Sequence, residues 1–205
     1  MAQIVRYLSH PQVNIDPDVP VPDWGLSIAG RARAEALAAA GWLHGTARVV
    51  CSAERKAIET AEILATSLGL SVEIRAAMHE NDRSAAGYLP ADEFEAVASQ
   101  FFAEPSVSVR GWERAIDAQA RIVVELEAIM AVPADGDTLF VGHGGVGTLL
   151  YCYFAAGKID RQFDQPPGGG GNYLTLSWPE RQMLNPWRPM EMPPDTIFDS
   201  KTAIA

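Results

Sequence analysis

The chain has 205 residues, of which 48% are hydrophobic and 20% charged, with a formal net charge of -10. That length and apolar content fit one globular domain with a real core, and the acidic balance, with basic residues scattered among Asp and Glu, argues against nucleic acid or an anionic membrane as a partner. No segment has the roughly 18 apolar residues of a membrane span, Met1–Ser9 carries no signal-peptide pattern, and Cys51 and Cys152 lie far apart beside apolar runs, as buried reduced thiols do. A cytoplasmic chain is expected, and an anionic substrate would need a local positive potential built into its site.

In chain order, Ile4–Leu8 is short and β-prone and runs into Ser9-His10-Pro11, where a proline marks the exit from a strand. Asn14–Trp24, rich in Pro and Asp, reads as a loop, and Ser27 as the N-cap of a helix carrying Ala and Leu at helical spacing over Gly30–Leu43. Arg48–Cys51 is a second strand. Glu54–Leu68 is a helix with Ala57, Ile58, Ala61, Leu64 and Ala65 on one face. Ser71–Ile74 is a weak third strand, followed by an irregular polar segment, His79–Gly87. Pro90 and Asp92 open a helix reaching about Phe102, and Glu113–Met130 is a long amphipathic helix. Thr138–Val141 is a buried strand broken by Gly142-His143-Gly144-Gly145, after which Val146–Ala156 reads as a buried helix. Pro166–Gly171 is a glycine-rich loop, and Tyr173–Trp178 and Gln182–Trp187 read as two late strands.

This alternation predicts an α/β fold, a three-layer α/β/α sandwich with a mainly parallel central sheet, over residues 1–188, with a tail at 189–205. Ligands of such sheets bind beyond the carboxyl ends of the strands. Three corners qualify: Ser9-His10, Cys51-Ser52 followed by Arg55-Lys56, and Gly142-His143-Gly144-Gly145. Two histidines at the ends of two strands form the unusual feature. Gly144 and Gly145 permit close backbone approach, and the helix that follows offers free N–H groups to an anion. Lys56 and Arg55 add positive charge, and Glu80, in the irregular segment, supplies a carboxyl group for proton transfer.

These residues resemble the histidine phosphatase (phosphoglycerate mutase-like) superfamily. Leu8-Ser9-His10-Pro11 is similar to its Arg-His-Gly signature, and Leu26–Ala34 to its Leu-Thr-x-x-Gly-Arg-x-Gln-Ala segment. Cys51–Ala61 is similar to Ser-Ser-Pro-Leu-x-Arg-Ala-x-Gln-Thr-Ala, Glu80 falls where the family carries its acid, and Gly142–Gly145 matches the second histidine motif. The resemblance implies that His10 attacks a phosphoryl group to form phosphohistidine. Glu80 would then protonate the leaving oxygen and later deprotonate water, and His143 would donate to the phosphoryl oxygens. It implies neither metal nor cofactor.

The departures concern the phosphate. The family arginine before the first histidine is Ser9, that of the second motif is Lys56 with Arg55 one residue early, the following glycine is Pro11, and a frequent asparagine aligns with Asp16. Lysine is a point charge and does not replace the planar guanidinium fork. Losing one preorganised donor to transition-state charge costs about 3–4 kcal/mol in comparable sites. Arg83, three residues past Glu80, is the expected compensating cation. Arg6 points to the other face of the sheet. The expected phosphate-binding set is Ser9, Lys56, Arg83, Gly144 and Arg55. The sequence thus reads as a phosphomonoester hydrolase with an altered pocket, acting on a small phosphorylated molecule. The alternative is a catalytically weak or inactive relative that binds a phosphorylated ligand or a protein partner.

Overall fold

The computed structural model describes residues 3–194. Its six strands are β1 (Gln3–Ser9), β2 (Thr46–Ser52), β3 (Val72–Arg75), β4 (Asp137–Gly142), β5 (Asn172–Trp178) and β6 (Met183–Pro189). Its five helices are α1 (Ile28–Ala40), α2 (Arg55–Leu68), α3 (Ala91–Ala103), α4 (Ala115–Met130) and α5 (Gly144–Tyr151). The strands form one sheet in the order β3-β2-β4-β1-β5-β6. The first four run parallel, and β5 and β6 are antiparallel additions at one edge.

Because successive side chains leave a strand on opposite faces, each buried strand feeds two cores. Val5 and Tyr7 of β1, Val50 of β2 and Phe140 of β4 join Phe101, Trp112, Ile122 and Leu149 on the face covered by α3, α4 and α5. Leu8, Val49, Cys51, Leu139 and Val141 join Leu37, Ala57, Ala61 and Leu64 on the face covered by α1 and α2. This is the expected three-layer arrangement. Arg6, pointing with Leu8 to the α1–α2 face, pairs with Asp137 at 2.8 Å and lies over the ring of Trp42.

Some boundaries differ from the sequence reading for local reasons. Helix α1 stops at Ala40 rather than Leu43, because Gly41 takes a left-handed conformation (φ 77) that terminates it. The helix after His143 begins at Gly144 and changes to a wider π-helical turn over Cys152–Ala156, closed by Gly157. The chain remains docked beyond residue 188: Met190 is fully buried and its N–H donates to Gly171 O at 2.9 Å. Residues 195–205 of the expected tail lie outside the described residues.

Candidate active site

The carboxyl ends of β1, β2 and β4 lie side by side in the sheet, so Ser9-His10, Ser52 and Gly142-His143 come together. The main chain of His10 is fixed on both sides: its N–H donates to Gly142 O at 2.9 Å, and its carbonyl accepts from Gly171 N at 3.0 Å. The glycine-rich loop passes so close that a Cβ at Gly170, already at φ +72, would lie 2.2 Å from His10 O. His10 Nδ1 is 2.9 Å from Pro11 O, which can only accept, so Nδ1 carries the proton and Nε2 keeps a free lone pair. Burial, with the neighbouring His143 and Lys56, lowers the His10 pKa to about 3, so the ring is neutral at pH 7.

The buried Tyr7 hydroxyl clamps His143: it accepts from His143 N at 2.9 Å and donates to His143 O at 3.2 Å. A Cβ at residue 142 would sit 2.1 Å from that hydroxyl, which accounts for Gly142. The His143 ring is fully buried, edge-on to His10 with ring centroids 5.3 Å apart. Its Nε2 lies 2.8 Å from Ser52 Oγ and 3.4 Å from Glu54 Oε1, while among the described residues Nδ1 has no hydrogen-bond partner. Burial pushes the His143 pKa below the usual histidine range.

Glu80 is drawn into the same corner by the start of α5. Its carboxylate accepts from Val146 N at 2.9 Å, Gly145 N at 3.1 Å and Asn81 N at 3.1 Å. Burial alone would raise its pKa, but the neighbouring His143 and Arg83 and the Val146 N–H hold it below the ordinary carboxylate value. The anion-seeking end of this helix is therefore already occupied by an acid of the chain itself.

The expected phosphate-binding residues divide. Gly144 lines a cavity of about 370 Å³ together with His10, Glu80, Asn81, Arg83 and Gln165. Arg83 lies over the rings of Phe94 (4.9 Å) and Trp112 (5.8 Å) and also lines a second cavity of about 670 Å³, as do Glu80 and Asn81. Lys56 is buried and bound to the Glu54 carboxylate, with a further bond to Val21 O at 2.8 Å. Ser9 is buried beneath Gln165: its Oγ donates to Gln165 Oε1 at 2.6 Å and accepts from Asn172 N at 3.1 Å. Asn172 Nδ2 also donates to Gln165 Oε1, at 3.1 Å, so Gln165 fills the space beside position 9. Arg55 is not brought to the site. It is exposed and pairs with Glu59 one helical turn on, at 2.8 Å. Asp16 folds back on its own loop, accepting from Asp18 N at 3.0 Å.

Four contributors escaped the sequence reading. Tyr7 lay unremarked inside the first predicted strand, Glu54 only opened a predicted helix, and Gln165 is remote in sequence. Asn81 is buried, lines both cavities and leaves its Nδ2 without a partner among the described residues. The only sequence signal for Asn81 was its place beside Glu80.

A mainly parallel sheet presents two histidines facing each other at its carboxyl edge, with the carboxylate of the Glu80 loop held by the first amides of the adjoining helix, an α/β geometry suited to phosphoryl transfer. The chain matches the histidine phosphatase superfamily (branch 1) over residues 17–179, most of its length, and belongs to that family. The matched stretch starts after His10. A search of curated proteins gave no match. Among solved structures, a mycobacterial glucosyl-3-phosphoglycerate phosphatase in complex with inorganic phosphate is 21% identical, with a TM-score of 0.76 over 93% of this chain and 100% of that one. Bacillus stearothermophilus YhfR is 21% identical, with a TM-score of 0.73 over 88% and 93%. A mycobacterial hydrolase is 22% identical, with a TM-score of 0.73 over 91% and 88%. Family and fold together make this chain an enzyme of the phosphatase class. No helix among the described residues is long and apolar enough to cross a membrane.

Proposed function

We propose that the chain hydrolyses phosphomonoesters of a small molecule through a phosphohistidine on His10. The observation that carries this reading is the Nδ1–Pro11 O contact, which leaves Nε2 as a free nucleophile beside His143 and in the same cavity as Glu80. His10 Nε2 attacks phosphorus, the P–O bond to the alcohol breaks, and the leaving oxygen takes a proton from Glu80. Water then attacks phosphorus, Glu80 recovers a proton, and the N–P bond breaks to release phosphate. Glu80 is held as a carboxylate in the empty site, so it gains its first proton with the substrate. A phosphomonoester near its second pKa, about 6, can deliver one. Arg83, Asn81 Nδ2 and His143 Nδ1 are the donors available to the phosphoryl oxygens. Gly144 adds close backbone approach. That a mycobacterial phosphatase of the same fold was solved in complex with inorganic phosphate supports phosphate as a ligand.

The reading includes a cytoplasmic setting, consistent with two buried free thiols, and a small phosphorylated partner rather than nucleic acid or membrane. One observation favours a second reading, a weak or inactive relative that binds a phosphorylated ligand: Lys56 is neutralised and Arg55 lies outside the site. Incubation with a radiolabelled aryl phosphomonoester near pH 6 decides between them. Acid-labile label on His10, absent from His10→Ala, is expected. If no label forms and no alcohol is released, hydrolysis falls and the binding reading stands.

A further inference from the structure

We infer that Glu54 is a positioning residue for His143: it quenches Lys56 in the empty site and makes His143 the group that takes up a proton when a phosphate-sized dianion enters. This rests on the phosphatase reading for the place where the dianion sits.

The Glu54 and Lys56 side chains are 9% and 4% exposed and bonded to each other, so together they present almost no net charge to an incoming anion. The remaining groups around His143 come from three elements. Ser52 ends β2, Tyr7 and His10 belong to β1 and its exit, and Glu80 and Arg83 follow β3. Arg83 and Glu80 offset each other. With both histidines neutral the groups facing His143 are two cations and two carboxylates, and Arg161, which lines the same cavity, is paired with Glu95 and Asp164, so a dianion entering would be buried without compensation.

His143 can supply the missing charge. Its Nε2 faces Ser52 and Glu54, and its Nδ1 has no partner among the described residues. As an imidazolium it donates from Nε2 toward Glu54 and from Nδ1 to the anion, and a negative charge on each side favours the protonated form. His10 cannot take this part, because its Nδ1 proton is committed to Pro11 O and its Nε2 must stay free to attack. Glu54 stands where the resembling segment of the family has leucine, so this arrangement is a property of this chain. The Glu54 carboxylate also accepts from Glu80 N at 2.8 Å, tying the same residue to the acid.

The test uses sulfate, which remains a dianion across the working pH range, so any proton taken up belongs to the protein. Calorimetric titration near pH 7 in buffers of different ionisation enthalpy should show about one proton taken up per sulfate by the wild type. Its affinity should fall about tenfold per pH unit above that. Glu54→Gln keeps an oxygen for Glu80 N but loses the charge. It should bind sulfate with almost no proton uptake, and about tenfold more tightly than wild type near pH 8.5, because Lys56 is released. NMR of the four histidine side chains keeps the test sound should the variant fold poorly: in wild type, sulfate should raise the His143 pKa. Wild-type binding without proton uptake, uptake undiminished in Glu54→Gln, or no sulfate binding by wild type would each overturn the inference. Phospholabelling of His10 tests the phosphatase reading separately: label with unchanged proton uptake in Glu54→Gln sinks this inference alone, and absence of label sinks the reading beneath it.

Discussion

At the scale of single residues, Glu80 has two duties that one substitution separates. It is the proton carrier of the proposed reaction, and it holds the first amides of α5. Glu80→Gln keeps an acceptor for those amides but removes the acid. The expected loss of kcat on an alkyl phosphate is about 10²–10⁴-fold, with stability reduced by about 1 kcal/mol. An aryl phosphate, whose alcohol leaves without help, should lose far less. Steady-state rates on the two substrates and a urea melt read all three effects, and equal losses on both substrates would remove Glu80 from the acid's place. Position 9 shows how a charge can be replaced by a scaffold. The family's arginine site is filled by a serine that anchors Gln165 and Asn172, so an arginine at 9 would have to displace the Gln165 side chain.

Among the elements, α1 sets the loop that leaves His10. Ser27 caps the helix by accepting from Gly30 N at 3.0 Å, while its own N–H donates to Gln12 O at 3.0 Å. A Cβ at residue 30 would lie 2.0 Å from that same backbone oxygen. Gly30→Ala should cost about 1–3 kcal/mol in urea unfolding and lower kcat by shifting the His10 loop; an unchanged melt and rate would show that the loop yields freely. Much of this level was legible beforehand. Periodicity marked α2 and α4, the strand–glycine–helix pattern marked β4 and α5, and strand ends selected His10 and His143. Strand order was not legible, because pairing depends on contacts far apart in sequence. The same limit hid Gln165, which meets Ser9 only through the fold. Arg55 and Lys56 show a finer limit. Neighbours on a helix point about 100° apart, so a one-residue ambiguity in the motif decided which side chain is buried against Glu54 and which pairs with Glu59 in solvent.

For the whole molecule, the net charge of -10 sets the approach of substrate. A dianionic phosphomonoester is repelled at long range by the acidic surface, and salt screens that repulsion. Raising monovalent salt from about 10 to 150 mM should therefore increase kcat/KM by about two- to fivefold, the reverse of the behaviour of a basic protein. Stopped assays across that series check it, and a fall in kcat/KM would mean that a local positive field overrides the average. The last consequence concerns how such an enzyme diversifies. Arg83 lies on the wall common to the two cavities and rests on the rings of Phe94 and Trp112, while also being a cation of the proposed site. On the proposed reading, the room for the alcohol and the grip on the phosphoryl group thus depend on one side chain. A change of substrate made at this position would therefore carry a change of phosphate affinity with it.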